Sequence, residues 1–237
     1  MKQPQPCPVG QSCQLCHANQ FARLLNGAGS AVVEAFEKNR TGRLYPAGFL
    51  LYRQGSCGDA LYCISSGRIK IYRTDPAGRV QILRLAGPGD FFGWRRLISN
   101  RPSSNSAQVV ASAFVCKIPG KTVLAALAGD PRIARNILSA QARALERTES
   151  QLMKQLGLSS PARVASLLLE LSPPPSPAAV ASLTREEMAQ LTGTSVESVS
   201  RFIQEMARRG SLRLRGRSIF VVDRQALEQF IEREYQT

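Results

Sequence analysis

LTREEMAQLTGTSVESVSRFIQEM, residues 183–206, decides how the rest of the chain is read. Thr184 stands where a helix N-cap belongs, and Glu187 three residues on completes a capping box, with Met188 and Leu191 turned inward. Gly193 then breaks the helix at a sharp turn. Thr194 or Ser195 caps a second helix, in which Val196, Val199, Ile203 and Met206 fall on one apolar stripe. The opposite face presents Glu197, Ser198, Ser200, Arg201 and Gln204. This pattern predicts a helix-turn-helix whose second helix can enter the major groove of DNA. Arg201 can donate two hydrogen bonds to guanine, Glu197 can accept from cytosine, and Ser200 can meet several base edges.

Outward from this stretch, GSLRLRGRSIFVV (residues 210–222) reads as two alternating strands around an Arg-Gly-Arg turn, a basic wing. Arg213, Arg215 and Arg217 on the wing, with Arg185, Thr194 and Ser195 at the helix starts, are the expected phosphate contacts. Upstream, residues 162–171 predict a helix carrying Val164, Leu167, Leu168 and Leu171 inward, opened by Ser159-Ser160-Pro161. The proline cluster at 173–177 is read as an internal loop, and 225–235 as a closing helix. Together, 159–237 form a winged helix-turn-helix domain.

The charge agrees with a polyanionic partner: 31 Lys and Arg against 17 Asp and Glu give a formal +14 and a pI near 10.2. No apolar run reaches transmembrane length, and MKQPQPCPVG lacks the apolar core of a signal peptide, so a cytoplasmic protein without a membrane partner is expected. In that reducing compartment, six cysteines argue for a metal site, redox chemistry or simple burial rather than a disulfide framework.

Residues 1–29 hold Cys7, Cys13 and Cys16, thiols close enough along the chain to converge on one metal or cluster. Cys13-Gln14-Leu15-Cys16-His17 also matches the c-type haem attachment pattern and carries the chain's single histidine, but such attachment belongs outside the cytoplasm. Residues 30–130 begin with a short helix at 30–39, followed by strands at 43–52, 60–66, 68–74, 80–85 and 107–118 separated by Gly- and Pro-rich turns. Regular turns of this kind predict an antiparallel β-roll or jelly roll, and an α+β fold for the whole chain.

Gly55, then Leu61-Tyr62-Cys63-Ile64-Ser65-Ser66-Gly67, then Gly89-Asp90-Phe91-Phe92-Gly93, resemble the β-roll of the cyclic-AMP receptor and fumarate–nitrate regulator family. The resemblance runs nearly without gaps over 42–222. Ser195-Val196-Glu197-Ser198-Val199-Ser200-Arg201 is most similar to the fumarate–nitrate branch, whose Glu-x-x-Ser-Arg pattern is associated with TTGAT-type half-sites. Nucleotide-binding members carry Gly-Glu-Leu and Arg-Ser/Thr-Ala; here stand Gly93-Trp94-Arg95 and Asn105-Ser106-Ala107, without either charged ligand, so no cyclic AMP response is expected. Cys116, in Phe114-Val115-Cys116-Lys117-Ile118-Pro119, matches the position of the fourth ligand of a [4Fe-4S] cluster in oxygen-sensing members. With Cys7, Cys13 and Cys16 it would complete four thiolates. The family's usual order puts the C-x-x-C pair first, whereas this chain has C-x5-C-x2-C. Zinc on the same four cysteines is the alternative, and Cys57 and Cys63 are read as non-ligands.

Residues 131–158 read as a long dimerisation helix. Leu138, Leu145 and Leu152 alternate with Gln141 and Thr148 on a heptad seam, while Ile133, Ile137, Ala140 and Ala144 suit packing on the β-roll. The resemblance implies a homodimer on a palindromic promoter with RNA polymerase as a further partner, and a cluster that biases the dimer. No catalytic constellation is present: there is one histidine, no nucleotide-binding glycine fingerprint and no nucleophile elbow.

Overall fold

The computed structural model describes residues 24–172, 179–180, 183–216 and 218–235. They form two compact units, Met1–Ala144 and Leu145–Thr237, divided within one helix.

The first unit is a β-roll. Among its described elements is the helix α1 (Ser30–Asn39), whose Val33 and Phe36 are buried. Strands β1 (Thr41–Tyr45), β2 (Leu50–Tyr52), β3 (Ala60–Thr74), β4 (Val80–Ala86), β5 (Phe91–Phe92) and β6 (Ser106–Pro119) then pair antiparallel in the order β1-β6-β3-β4, with β2 on β6 and β5 on β3. Pro46-Ala47-Gly48 divides the stretch expected as one strand, 43–52, into β1 and β2. The glycine expected to separate strands 60–66 and 68–74 instead sits inside β3. Gly67 has φ +86, a Cβ there would come 2.3 Å from the Ser112 carbonyl oxygen, and the β3–β6 register shifts around it. A glycine in a bulge therefore bends one strand of 15 residues without breaking it.

Two apolar clusters fill this unit. Ile64, Ile69, Ile71, Val109, Val115 and Phe92 pack inside the roll with Tyr62. On the other side Leu24, Leu25, Phe36, Leu61, Cys63, Cys116, Ile118, Ile133 and Ile137 pack together. The helices α2 (Trp94–Ser99) and α3 (Gly120–Gly129) contribute Leu97, Val123 and Ala126 to the second cluster. The sequence alone predicts neither helix, because neither has a polar N-cap side chain to announce it.

Helix α4 (Pro131–Gly157) ends one residue before the expected 158 and, at 27 residues, has a length of about 40 Å. Its start is tied down by Asp130, whose carboxylate accepts from the Gly29 amide at 2.9 Å and from Arg132 Nε at 2.8 Å. The Arg132 guanidinium, then the Gly29 amide, hold this carboxyl well below the usual carboxylate range. A folded-state pKa below the unfolded one stabilises above the unfolded value, and the stabilisation disappears as pH falls through the folded one. Asp130→Asn should therefore lower the melting temperature at pH 7. Thermal unfolding at stepped pH should show the gap to the parent narrowing below about pH 4.

The second unit contains α5 (Ser160–Leu171), α6 (Arg185–Thr192), α7 (Val196–Arg208) and α8 (Arg224–Tyr235), with a small sheet β7 (Ala179–Val180), β8 (Leu212–Arg215) and β9 (Ser218–Val221) in the order β7-β9-β8. Strand β7 has no mark in the sequence: two residues after a proline cluster leave no periodicity to read. The unit's core includes Val164, Leu168, Met188, Val199, Phe202, Ile203, Met206 and Leu227, all nearly fully buried.

Candidate functional site

The helix pair α6–α7 is built by its caps. Thr184 Oγ1 accepts from the Glu187 amide at 3.1 Å while Glu187 Oε2 accepts from the Thr184 amide at 3.0 Å, the reciprocal box read from the sequence. Gly193 ends α6 in the left-handed conformation, φ 61 and ψ 44, and its amide donates to the Ala189 carbonyl. Ser195 caps α7, its hydroxyl accepting from the Ser198 amide at 3.1 Å. The buried stripe of α7 is Val199, Phe202, Ile203 and Met206, with Phe202 against Phe230 at 5.4 Å between centroids. Val196, expected on that stripe, is the first residue of the helix and is 40% exposed.

The polar face of α7 is open. Glu197 and Arg201 are exposed and Ser200 half-buried. The first-turn backbone, then the Ser195 hydroxyl and Arg201, hold Glu197 below the usual carboxylate range. It therefore stays an acceptor at neutral pH. Thr194 is half-buried and Ser195 exposed at the helix start, while Arg185 is half-buried beside Met188, its burial lowering the guanidinium pKa. The wing pairs Arg213 with Phe220 and Arg215 with Ser218, and both arginines are exposed. Arg217 lies outside the described residues. A helix N-terminus, an open polar helix face and a basic wing can together meet phosphates and base edges.

One residue missed by the sequence reading organises this unit. From α5, Arg163 donates Nε to the Thr192 carbonyl at 2.8 Å, Nη1 to the Leu158 carbonyl at 2.8 Å, and Nη2 to Ser160 Oγ at 3.1 Å and the Gly193 carbonyl at 3.3 Å. A single guanidinium thus satisfies carbonyls at the end of α6 and just past the end of α4. A positive charge within a helical pattern gives no hint of this role.

In the first unit, Cys116 lies on β6 and is 8% exposed. Its cross-strand partners are Gly42 on β1 and Cys63 on β3. Cys7, Cys13, Cys16 and His17 lie outside the described residues. Among the described residues no three His, Cys, Asp or Glu side chains converge as a metal site. Inside the roll, Tyr52 donates its hydroxyl to Asn105 Oδ1 at 2.9 Å, and its ring lies 5.8 Å from Tyr62 and 6.1 Å from Phe92. Burial pushes the Tyr52 hydroxyl up to about 12. Trp94 packs against the Leu24–Cys116 cluster.

On α4, Ile133 and Ile137 are buried, while the expected seam residues Leu138, Leu145 and Leu152 are 69%, 60% and 56% exposed. Gln141 is half-buried and Thr148 exposed. Met153 and Leu156, outside the expected seam, are exposed as well. No helix among the described residues is long and apolar enough to cross a membrane.

Residues 42–130 match the cyclic nucleotide-binding domain and residues 162–230 the Crp-like helix-turn-helix domain. The chain is 31% identical over 212 residues to the CRP-like cAMP-activated global transcriptional regulator of Mycobacterium tuberculosis, covering 87% of this chain and 95% of the relative. It is 32% identical over 192 residues to the cyclic AMP receptor protein of Thermus thermophilus, covering 79% and 86%. The fold is that of the c-di-GMP responsive global regulator CLP of Xanthomonas campestris, with a TM-score of 0.70 at 22% identity, over 81% of this chain and 99% of that one. A β-roll joined to a capped helix-turn-helix with a basic wing, and relatives that match along most of their length, make this chain a member of the CRP/FNR family of DNA-binding transcription regulators, which are not enzymes.

Proposed function

We propose that the chain is a cytoplasmic, homodimeric regulator of TTGAT-type palindromic promoters, with RNA polymerase as its partner there, and that it answers to oxygen, nitric oxide or redox poise through a [4Fe-4S] cluster. Cys7, Cys13, Cys16 and Cys116 would hold the cluster. One observation carries the sensor half: Cys116 shares a buried cluster with Leu24 and Leu25, the first described residues after the cysteine-bearing segment. The donor set fits the group, since four soft thiolates are the usual ligands of such a cluster. When bound, the cluster supplies an oxidant-sensitive inorganic core; the chain's part is to hold it with thiolates and keep one ligand on a rigid strand.

Cys116→Ser should remove most of the iron and sulfide from anaerobically purified protein, while Cys57→Ser, at an exposed turn, should leave them unchanged. Iron at the parent level in Cys116→Ser would overturn the ligand assignment. The DNA half rests on the open face of α7. Replacing Arg201 with Ala should relax choice at one base pair and cost about 1–3 kcal/mol, read as the ratio of operator to random-DNA affinity.

A cyclic nucleotide effector is the second reading, favoured by the names of the two relatives. The residues here do not fit the nucleotide-binding pattern: an indole stands at the carboxylate position, and uncharged Asn105, engaged with Tyr52, stands at the arginine position. Calorimetry with cyclic AMP should give no binding heat, and a micromolar dissociation constant would restore that reading.

A further inference from the structure

We infer that Cys63 and Cys116 form a cross-strand dithiol that closes to a disulfide under oxidation. The register sets Cys63 directly opposite Cys116 in the antiparallel β3–β6 pair, within the regular run from Ala60 against Pro119 to Ile64 against Val115. Directly opposed residues have Cα atoms about 4.5–5.5 Å apart and side chains on the same face. A disulfide accepts Cα separations of about 4.4–6.8 Å, so closure needs rotation about the side-chain bonds and little backbone movement. Both thiols lie in the same buried cluster, at 6% and 8% exposure.

On the other flank the β1 partner is Gly42, which has no side chain and is covered by the Phe114 ring: a Cβ there would meet Phe114 at 2.8 Å and Cys116 Sγ at 3.6 Å. Cys63 is thus the side chain that faces Cys116 across the sheet. The bulge that shifts the register starts only beyond Ile64, so it does not separate the pair.

With a peroxide as oxidant the chemistry balances. One thiolate attacks the O–O bond, taking a sulfenic oxygen and releasing one water after protonation; the second thiol then displaces that oxygen as a second water while the S–S bond forms. Two sulfurs together lose two electrons, the peroxide gains them, and the two thiol protons leave in the waters. If Cys116 ligates a cluster, a consequence that rests on the reading above, closure withdraws this thiolate and blocks reassembly until a thiol reductant reopens the bond.

The test is made on the full chain, purified without oxygen, exposed to at least one equivalent of hydrogen peroxide, denatured in an alkylating agent and digested with trypsin. The expected product links peptide 54–68 to the peptide bearing Cys116, two hydrogens lighter than the reduced sum, with fragmentation assigning the bond to Cys63 rather than Cys57. Dithiothreitol should abolish it, Cys57→Ser should retain it, and Cys63→Ser should lack it. Full alkylation of Cys63 while other cysteines are oxidised, or a bond on Cys57, would overturn the inference. A bound cluster would occupy Cys116, so peroxide is added until any iron–sulfur absorbance is bleached; a missing bond then overturns the dithiol and leaves the cluster assignment standing, and a colourless protein leaves the dithiol standing.

Discussion

Leu145→Glu should convert the protein to a monomer at concentrations where the parent is a dimer. Leu138, Leu145 and Leu152 recur every heptad on α4 and all remain more than half exposed. An apolar row of this kind on a long helix is a cost in water that a second copy of the helix removes. Burying one leucine stabilises by about 1.5–3 kcal/mol, and two-fold symmetry counts it twice. Glutamates at the central position would also oppose each other across the symmetry axis. The dimer dissociation constant should rise by at least about a hundredfold, at about 1.4 kcal/mol per tenfold. Sedimentation equilibrium reads this directly. Gel shifts should show weak occupancy of single half-sites in place of tight binding to the palindrome. An unchanged dimer fraction would mean that the copies meet elsewhere.

Arg163→Ala should be the most damaging single change in the second unit outside its apolar core. It deletes donors to the Thr192, Gly193 and Leu158 carbonyls and to Ser160 at once. Hydrogen bonds to a charged group are worth about 1.5–3 kcal/mol, and carbonyls left dry after truncation add to the loss. A destabilisation of about 3 kcal/mol is expected in urea unfolding. The positioning role has its own signature. Because Arg163 fixes the turn before α7 rather than touching bases, Arg163→Ala should weaken operator binding without changing which base is preferred, the opposite of Arg201→Ala. Arg163→Lys should recover little, since an ammonium cannot span donors arranged as a planar fork.

Local rules carried much of the fold. The capping box, Gly193 and the Ser195 cap leave chemical marks close together in the sequence, and all three hold in the structure. Helix α4 was legible to within a residue because Pro131 and Gly157 bound one uninterrupted periodic run. What was not legible depends on partners distant in sequence. Gly67 reads as a strand end until Ser112 and Ala113 are seen pressed against it. Helices α2 and α3 form because their apolar sides have a cluster to complete, which no cap signals. For the sites, the polar face of α7 and the row of exposed leucines on α4 follow from periodicity alone. Cys63 reads as a non-ligand strand residue, and its place opposite Cys116 follows from a strand register that no local pattern records. Arg163 is the same lesson in a helix: its partners lie as far as 30 residues away.

The most direct test compares one preparation before and after air. The full chain is purified without oxygen, and its absorption spectrum, iron, sulfide and zinc content and affinity for a TTGAT palindrome are measured, then measured again after aeration. The account predicts a broad brown absorbance with about four irons and four sulfides per chain, bleached by air together with a loss of dimer and of palindrome binding. A colourless protein, with zinc or without metal, that binds the palindrome equally before and after air would contradict it.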